Sequence, residues 1–586
     1  GVHRIGAEQE LCLVDKNYRP SCNSIKIIEN LNDPHYTTEL ALFNMEINLD
    51  PHNLSGQCFS EIEKELTSFI EKADRVAAEV EKSKVVLTGI LPTLRKRDMI
   101  FENITPYPRY KMLNSILKSI RGDDFLLRIK GVDELITNHK SILFEACNTS
   151  FQVHLQIPQD ELVDKYNWSQ TIAGPVLSIT ANSPLLLGRE LWSETRIALF
   201  QQSVDLRNSS FLLREQKPRV SFGSSWIKDS VIELYQDDIV RYTPLLTSTK
   251  DMKEDAVAQL NDGKVPELQA INIHNGTIYR WNRLCYGQTK GVPHMRIENR
   301  YIPAGPTIKD EVANALFWVG LMQGLPDKYR NLHETLPFNE VKGNFINAAR
   351  TGINTYFDWF GKGISARRLI LTELIPIARE GLLKSNIDQK DIDYYLNIIQ
   401  KRAETRYTGS QWMRHSNRIL KKKMTKDIAN ATLTAHMYKN QKEGKPVHDW
   451  KLAKDNHVLE LDVGLTKLEK FMTTEVFVVN ENDLVELVAK IMEWRNIHHI
   501  PVVDNNNRLT GLITKKTIQE ISGQDTNVIV AKDIMVKDVI TVDSETSIEK
   551  ANAIMIENNI GCLPILELED LVGILTKNDL NKILSS

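Results

Sequence analysis

The stretch GAEQE at residues 6–10 sets two glutamates two positions apart, and three later stretches repeat this spacing of polar side chains. They are MEINLD at 45–50, FQVHLQ at 151–156 and MRIENR at 295–300. In a β-strand successive side chains point to opposite faces, so each stretch can present its polar side chains on one face. The pattern predicts four strands, each with one polar face.

A single sheet built from these strands would gather a dense group of charged side chains. Its polar face would carry Glu8, Glu10, Glu46, Asp50, His154, Arg296, Glu298 and Arg300. Carboxylates at such density repel one another unless cations are bound between them. The alternative is an ordinary amphipathic sheet with its acids in solvent. The recurrence of the pattern in four stretches argues against this alternative more strongly than a single stretch would. The pattern therefore indicates an enzyme site that holds magnesium and a nucleoside triphosphate.

The composition excludes several broad classes of protein. The chain has 586 residues, a length that suggests roughly three or four domains. Charged residues make up 25% and the formal net charge is −3, so no bulk attraction to nucleic acid or to a membrane is indicated. We see no signal peptide and no apolar run of the ~18 residues that a membrane span requires. The six cysteines form no CxxC pair, which favours a reducing, cytoplasmic compartment over a zinc knuckle or a disulfide framework.

Helical periodicity follows the first strands. A long amphipathic helix is expected to start near Ser60, where Ser60 and Glu63 match a capping box. Further helices are expected at 309–323, 341–358, 366–383 and 391–405. Residues 360–365 lack the first glycine of a Walker A loop and are interpreted as a loop between helices. Residues 406–466 are polar and Lys-rich, and we interpret them as a solvated helical linker rather than a nucleic-acid-binding segment.

The last part of the chain contains an internal repeat. The paired segments are MTTEV at 472–476 with MVKDV at 535–539, IPVV at 500–503 with LPIL at 563–566, and GLIT at 511–514 with GILT at 573–576. Each copy predicts the order strand, helix, strand, strand, helix. The tandem resembles a pair of α/β CBS domains, over residues 467–522 and 530–586.

The CBS resemblance implies a regulatory nucleotide site. In such domains a Gly-apolar-apolar-Thr segment can meet a phosphate, and an Asp three residues later accepts from ribose hydroxyls. The second repeat matches with Gly573, Thr576 and Asp579, whereas the first has Thr514 but Thr517 in place of the Asp. We expect at most one competent site for AMP, ADP or ATP. The alternative is a pair that only mediates dimerisation, and the resemblance also implies a homodimer through this pair.

The earlier motifs resemble the glutamate–cysteine ligase family, and more closely the bacterial carboxylate–amine ligases related to its second type. Over residues 1–405 the motifs keep the family's order: EQE at 8–10, TE at 38–39 followed by Glu46, QVH at 152–154, ANSPL at 181–185, and RIENR at 296–300 followed by Pro303. The resemblance implies an α+β fold in which a glutamine-synthetase-like antiparallel sheet forms a funnel flanked by helices.

The same resemblance assigns roles to individual residues. The metal ligands that it implies are Glu8, Glu10, Glu39, Glu46, His154 and Glu298. Magnesium prefers oxygen ligands, so the imidazole of His154 would suit manganese better. Arg300 would face the γ-phosphate of ATP, with Arg296 as a weaker candidate. Gln152 and Arg196 are candidates for binding the substrate, although an exposed salt bridge is the alternative for Arg196.

The family implies a reaction in two steps. A substrate carboxylate takes the γ-phosphoryl group of ATP, and an amine then displaces phosphate from the acyl phosphate to form an amide. Glutamate is the expected carboxylate and cysteine the leading amine, a reaction that belongs to glutathione biosynthesis. The expected partners are small molecules, with neither nucleic acid nor membrane. Two alternatives stay open: a non-catalytic adenylate sensor, and a phosphotransferase on the same fold.

Overall fold

The computed structural model describes residues 3–122, 125–139, 141–205, 207, 218–245, 255–454, 467–474, 476–505, 507–521 and 529–584. These residues form two compact units. The first unit lies within Gly1–Leu420 and Ala431–Val458, and the second within Lys421–Asn430 and Leu459–Ser586. In the described part of the chain, no helix combines the length and the apolar character needed to cross a membrane.

One antiparallel sheet dominates the first unit. The strands of this unit are β1 (Arg4–Val14), β2 (Tyr36–Thr38), β3 (Asn44–Asn48), β4 (His52–Asn53), β5 (Lys84–Val86), β6 (Phe125–Lys130), β7 (Glu134–His139), β8 (Phe151–Ile157), β9 (Leu185–Leu186), β10 (Arg189–Glu190), β11 (Val220–Ser221), β12 (Tyr279–Arg280), β13 (Asn282–Thr289), β14 (Val292–Asn299), β15 (Tyr356–Trp359) and β16 (Lys362–Ser365). Eight of them form a sheet in the order β13-β14-β8-β1-β3-β2, with β4 and β5 also paired to β1. The expected antiparallel sheet is confirmed, and its funnel shape stays a prediction.

The register of this sheet brings the polar stretches together. It places Glu10 opposite Glu46, Glu8 opposite Gln152, and His154 opposite Glu298. Residues directly opposite in antiparallel strands lie on the same face. The prediction that the four stretches share one sheet is therefore confirmed.

Asp50 is an exception to the predicted polar face. Strand β3 ends at Asn48, so the period-two alternation stops before Asp50 is reached. The side chain of Asp50 is 81% exposed, and its Oδ2 atom lies 3.5 Å from Nε2 of His35. The expectation that Asp50 joins the charged group was wrong, because β3 ends before this residue and the Asp50 side chain lies in solvent.

Helices cover the sheet and link its strands. The α-helices of residues 24–443 are Ser24–Leu31, Cys58–Glu81, Pro108–Arg121, Leu162–Thr180, Arg196–Ser203, Ile232–Arg241, Ala256–Asn261, Gln269–Asn275, Ile308–Gln323, Leu332–Thr335, Phe338–Thr351, Ala366–Leu369, Ile375–Lys384, Gln389–Thr405, Gly409–Lys421 and Lys426–Glu443. Short 3-10 helices are Lys96–Met99, Phe101–Asn103, Ile142–Cys147, Gln159–Glu161, Asp327–Tyr329, Gly352–Asn354 and Val447–Asp449, and Ile370–Leu374 is a π-helical turn. Leu162–Thr180 and Ile308–Gln323 are buried along most of their length, so they form the core of this unit.

The long helix Cys58–Glu81 begins before the predicted start at Ser60. Ser60 lies in the first turn, where its backbone N–H donates to Asp391 over 3.0 Å and its hydroxyl donates to the same carboxylate. Glu63 instead accepts a hydrogen bond from the hydroxyl of Tyr395 over 2.7 Å. The predicted capping box was wrong, because both of its residues are held by the helix Gln389–Thr405.

The predicted helix over 341–358 ends earlier, at Thr351. Strands β15 and β16 follow as an antiparallel hairpin, in which Asp358 pairs with Gly363. Phe360 and Gly361 form its turn with φ angles of 52° and 73°, a left-handed conformation that glycine adopts without steric cost. Residues 360–365 therefore form a turn and a strand, and the expected loop between helices was wrong.

Residues 409–420 and 431–454 make buried contacts with the rest of the first unit. Trp412 is wholly buried, and its indole N–H donates to the carbonyl of Lys451 over 2.9 Å. The amide nitrogen of Gln441 donates to the carbonyls of Leu87 and Pro306 over 2.6 and 2.9 Å. Residues 455–466 of the predicted linker lie outside the described residues, and the predicted boundary at residue 405 stays a prediction.

The second unit contains the predicted repeat. Its strands are β17 (Val479–Asn480), β18 (His499–Val503), β19 (Leu509–Thr514), β20 (Val542–Asp543), β21 (Cys562–Glu567) and β22 (Asp570–Thr576). Its helices are Leu468–Lys470, Val485–Arg495, Lys515–Glu520, Ala531–Ile534, Ile548–Glu557 and Lys577–Leu584. Two three-stranded sheets result, β17-β18-β19 and β20-β21-β22.

Isolated β-bridges also connect the two repeats of the second unit. Thr473 pairs with Ile574 of the other repeat, and Leu512 pairs with Val536. The side chain of Met472 lies so close to Gly573 that a Cβ atom there would be 2.5 Å from the Met472 sulfur. The glycine is therefore required by packing between the repeats.

Candidate active site

Three predicted metal ligands meet where β1, β8 and β14 run side by side. The side chains of Glu8, His154 and Glu298 each offer a ligand atom, and these atoms all lie within 4.8 Å of one another. The Nε2 atom of His154 is 3.0 Å from a carboxylate oxygen of Glu8, and Glu298 is fully buried. We call this group the first cluster.

Three further predicted ligands meet on the same face of the sheet, toward β3. The carboxylates of Glu10, Glu39 and Glu46 also approach one another within 4.8 Å. One oxygen of Glu46 accepts a hydrogen bond from the amide of Asn48 over 2.9 Å. Glu39 follows β2, and its carboxylate accepts from the backbone N–H of Leu40 over 3.2 Å. We call this group the second cluster.

The second cluster has the electrostatics of a cation site. Burial, together with the charges of Glu8 and Glu10, raises the pKa of Glu46 to about 7. Burial and the charge of Glu46 raise the pKa of Glu39 well above its ordinary value. A bound cation would remove the cost of ionising these carboxylates together. The combined donor set of carboxylates and one imidazole fits divalent cations that prefer oxygen, with manganese better suited to the imidazole.

Arginines hold Glu298 of the first cluster in its ionised form. The Arg283 guanidinium donates two hydrogen bonds to the Glu298 carboxylate, over 2.9 and 3.0 Å. Arg300 donates to the same carboxylate. Burial by itself would raise the pKa of Glu298, but the charges of Arg283 and Arg300 keep it well below its ordinary value. Glu298 therefore carries its charge whether or not a cation is present.

Gln152 connects the two clusters through its side-chain amide. Its nitrogen donates to a carboxylate oxygen of Glu10 over 2.9 Å, and its oxygen accepts from Arg300 over 2.8 Å. The other oxygen of Glu10 accepts from the backbone N–H of Ser150 over 2.6 Å. This buried amide fixes the orientation of one acid and one arginine at once.

Arg296 and Arg196 occupy different positions in the site. The Nε atom of Arg296 donates to Nδ1 of His154 over 3.3 Å, so Arg296 contacts a member of the first cluster. Arg196 is only 3% exposed, and its guanidinium lies 3.2 Å from the buried carboxylate of Glu194 and 3.2 Å from the carbonyl of Tyr301. The exposed salt bridge considered for Arg196 is therefore excluded, because the pair lies in the interior.

Arg283 also belongs to this site, although it is not among the residues predicted from the sequence. Strand β13 pairs with β14 and places Arg283 directly opposite Glu298. The turn that joins these strands contains Gly291 at a φ of 76°. A glycine between two segments of alternating character is a hairpin signal, so the hairpin could have been predicted from the sequence.

Glu145 was missed as well, and no sequence signal marks it. It lies on the 3-10 helix Ile142–Cys147 rather than on a strand, so period-two alternation does not reach it. Burial, with the negative charge of Glu10, raises the pKa of the Glu145 carboxyl to about 7, while Arg300 opposes the shift. Glu145 adds a further acid beside the second cluster.

The second unit brings its predicted nucleotide-binding residues together. The Thr576 hydroxyl donates to the Asp579 carboxylate over 2.6 Å, and the Thr576 backbone N–H donates to it over 2.9 Å. In the first repeat the hydroxyls of Thr514 and Thr517 lie 2.9 Å apart instead. Among the described residues, only those of the second repeat therefore offer a carboxylate at the start of the final helix.

Comparison with known families covers both units. The model of glutamate–cysteine ligase family 2 matches residues 4–434 of this chain. The CBS domain model matches residues 468–522 and 531–586. The two matches follow the order that the motifs of the sequence predict.

Individual relatives match a shorter part of the chain. Homoserine O-acetyltransferase of Methanococcus vannielii is 36% identical over 107 residues, which are 18% of this chain and 22% of that protein. Inosine-5′-monophosphate dehydrogenase of Methanocaldococcus jannaschii is 33% identical over 117 residues, 20% of this chain and 23% of that protein. The chain thus spans less than a quarter of the length of these two curated relatives.

Solved structures of CBS domains are also similar to part of the chain. The CBS domain pair of protein MJ0100, in complex with 5-methylthioadenosine and S-adenosyl-L-methionine, is 26% identical with a TM-score of 0.20 and covers 20% of this chain and 96% of its own. The CBS domain of a CBS-domain-containing membrane protein from Sphaerobacter thermophilus is 28% identical with a TM-score of 0.19, covering 20% of this chain and 86% of its own.

Proposed function

Because this chain belongs to glutamate–cysteine ligase family 2, we propose that it is an ATP-dependent ligase that joins a carboxylate to an amine. The observation that carries the proposal is the meeting of two ligand clusters and Arg300 on one face of the sheet. Acids that hold divalent cations, next to an arginine, are the groups that phosphoryl transfer from ATP requires. We propose glutamate as the carboxylate and cysteine as the first candidate amine, which gives a γ-glutamyl amide for glutathione biosynthesis.

The two clusters are the proposed metal sites. Glu8, His154 and Glu298 would hold one Mg²⁺ or Mn²⁺ ion, and the acids of the second cluster would hold another. Bound cations would neutralise the triphosphate of ATP and orient its γ-phosphoryl group. The chain itself keeps the ligands apart and oriented through the hydrogen bonds of Gln152 and Arg283.

The arginines of the site would stabilise the charge of the transferred group. Arg300 is held by Gln152 and Glu298, so its guanidinium is fixed before ATP binds. A fixed guanidinium stabilises developing charge without reorganisation at the moment of transfer. Arg296 contacts His154 and is the weaker candidate for the same role.

The proposed chemistry needs no covalent nucleophile from the protein. An oxygen of the substrate carboxylate attacks the γ-phosphorus of ATP, the bond to ADP breaks, and an acyl phosphate forms. The amine nitrogen then attacks the acyl carbon, the carbon–oxygen bond to phosphate breaks, and the amine loses a proton. The protein contributes alignment and charge stabilisation.

Gln152 and Arg196 have different proposed roles toward the substrate. Gln152 lies between Glu10 and Arg300, so it can align a carboxylate next to the γ-phosphoryl group. Arg196 is buried beside Glu194, and its charge opposes the rise that burial causes in the pKa of Glu10. We assign Arg196 a positioning role, exerted through Glu10.

The CBS pair indicates adenine-nucleotide sensing. We propose that AMP, ADP or ATP binds at the second repeat, where Thr576 and Asp579 meet, and changes the turnover of the ligase. A homodimer through this pair and a cytoplasmic location belong to the same proposal. A module that serves only for dimerisation would leave turnover independent of AMP.

One assay tests the proposed reaction. The purified chain is incubated with Mg²⁺, ATP and glutamate, amines are added one at a time, and released phosphate and product mass are measured together. Phosphate release that depends on the amine, with a γ-glutamyl product, supports the ligase and identifies its acceptor. A stable phosphorylated product without an amine would favour the phosphotransferase, and nucleotide binding without any turnover would favour the adenylate sensor.

A further inference from the structure

Two arginines of the helix Gly409–Lys421 contact one buried acid of the first unit. The guanidinium of Arg418 donates two hydrogen bonds to the Glu190 carboxylate, over 2.6 and 2.9 Å. The Nε atom of Arg414 lies 3.2 Å from the same carboxylate, and Glu190 is only 5% exposed. A guanidinium that binds both oxygens of a carboxylate fixes their orientation as well as their distance. These contacts therefore tie the helix to β10, which ends at Glu190.

Arg414 also holds the chain that follows β10. Its guanidinium donates to the carbonyl of Leu191 over 2.8 Å and to the hydroxyl of Ser193 over 3.2 Å. The backbone N–H of Ser193 donates to the carbonyl of Arg350 over 3.0 Å. One guanidinium thus contacts three of the four residues in 190–193, and the position of this segment depends on the helix Gly409–Lys421.

The next residues extend these contacts to the active site. Glu194 is fully buried, and its carboxylate accepts from the backbone N–H of Asn182 over 2.7 Å. Arg196 lies 3.2 Å from the same carboxylate. The Arg196 guanidinium also donates to the carbonyls of Tyr301 and Arg300, over 3.2 and 3.4 Å. A continuous series of direct contacts therefore leads from the helix to the main chain of Arg300, and all of its members belong to the first unit.

We propose that Arg414 and Arg418 are positioning residues for Arg300. They fix residues 190–193, and the adjoining pair of Glu194 and Arg196 then holds the carbonyl of Arg300. A misplacement of about 1 Å, even one caused far from the reacting atoms, can cost about 100-fold in rate. The effect on catalysis rests on the proposed ligase, whereas the link between the helix and Arg300 does not.

Hydrogen exchange in the full chain tests this link. The backbone N–H of Arg300 donates to the carbonyl of Trp281 over 3.0 Å, so its exchange with deuterium reports local opening of the main chain. Mass spectrometry of peptides that span residues 297–302 measures this exchange. Arg414→Met replaces the guanidinium with a neutral side chain, and we expect exchange about tenfold faster in these peptides than in the wild type.

The matched control is Arg379→Met. Arg379 is also paired with an acid, Asp393, over 2.6 Å, but it makes no contact in the series that leads to Arg300, so exchange in 297–302 should stay at the wild-type rate. An unchanged rate in Arg414→Met would overturn the positioning role, and so would an equal increase throughout the first unit. If Arg414→Met does not fold, the same comparison decides the question with Arg418→Met, whose side chain is 54% exposed in the wild type.

Turnover tests the effect on catalysis. We expect kcat of Arg414→Met to fall about tenfold, while the KM for ATP changes by less than about twofold. In an Arg300→Lys background the same substitution should lower kcat by less than about twofold, because its effect passes through Arg300. A full tenfold loss in that background would overturn this route. If the wild type shows no ligase turnover, the proposed function is wrong, and hydrogen exchange still decides whether the helix positions Arg300.

Discussion

The Nε2 atom of His154 lies 3.0 Å from a carboxylate oxygen of Glu8, although these two residues are not directly opposite in the sheet. The residue opposite His154 on β1 is Gly6, and Glu8 is opposite Gln152. The imidazole therefore reaches diagonally along the strand, across a distance that long side chains can span. A slip of one residue in this register would send Glu8 and Glu10 to the other face together.

Glu46→Gln should stop ADP formation while leaving the fold intact. The substitution keeps the shape of the side chain but removes a charge and a cation ligand from the second cluster. We expect kcat to fall by at least about 100-fold, measured by a coupled ADP assay, with an unchanged circular dichroism spectrum. Glu79→Gln, on an exposed helix face, is the control that should keep wild-type turnover. Turnover retained in Glu46→Gln would show that the metal assignment is wrong.

Mn²⁺ should stabilise the chelator-treated protein against heat. A ligand that binds only the folded state raises the free energy of unfolding by about 2.7 kcal/mol at a free ligand concentration of 100 times Kd. The acids of the second cluster repel one another, so a cation that neutralises them further stabilises the folded state. We expect a rise in Tm with Mn²⁺ in scanning calorimetry, and a much smaller rise for Glu46→Gln. Equal rises in the two proteins would place the bound ion elsewhere.

Arg283→Met should destabilise the first unit. The Arg283 guanidinium is paired with the fully buried carboxylate of Glu298, and its loss leaves that charge with Arg300 alone. Breaking a buried pair of this kind costs about 3 kcal/mol, which urea unfolding measures.

The matched control is another arginine–glutamate pair on the surface. Arg128 lies 3.4 Å from Glu134, with side chains 68% and 40% exposed. Because solvent screens such a pair, Arg128→Met should change stability by less than about 1 kcal/mol. Equal losses in the two variants would mean that Glu298 does not depend on Arg283 for its charge.

Arg300→Lys should lower kcat much more than it changes the KM for ATP. The arginine contacts Gln152 and Glu298 at the same time, and a lysine ammonium cannot reproduce this planar arrangement. We expect kcat to fall by about 100-fold or more in steady-state assays. Arg296→Lys should have the smaller effect, since Arg296 contacts only His154 among the predicted ligands. A larger effect at Arg296 would reverse the two roles.

Asp579→Ala should weaken binding of AMP to the full-length chain by about tenfold, as measured by calorimetry. The carboxylate at the start of the final helix is the group proposed to accept from ribose hydroxyls, and it also accepts from Thr576. Thr517→Ala changes the equivalent position of the first repeat and should leave binding unchanged. If the wild type does not bind AMP, ADP or ATP, the proposed sensing of these nucleotides is wrong.

Period-two alternation predicted the sheet and most of the candidate site. Glu8, Glu10, Glu46, Gln152, His154 and Glu298 share a face because strand geometry requires it. Arg300 follows the end of β14 and contacts Gln152 and Glu298 on that face. The prediction for Asp50 was wrong because the alternation of side chains does not indicate where a strand ends. Convergence of the strands depended on pairing between distant segments, which no local pattern specifies.

The remainder of the site depends on tertiary contacts. Glu145 reaches the second cluster from a 3-10 helix, and Glu39 belongs to it through the chain that follows β2. The capping box predicted at Ser60 was wrong for a similar reason: Ser60 hydrogen-bonds to Asp391, which is distant in sequence. Local propensity is a weak guide where such contacts decide the outcome.

The most direct test of the proposed ligase follows an oxygen atom from substrate to product. The chain is incubated with Mg²⁺, ATP, cysteine and glutamate labelled with ¹⁸O in its side-chain carboxylate, and the released phosphate is examined by mass spectrometry. An acyl phosphate transfers one carboxylate oxygen to phosphate, so the proposed ligase should give one ¹⁸O atom in each phosphate and a γ-glutamyl product. Phosphate without label, or no turnover with glutamate and any amine, would contradict it.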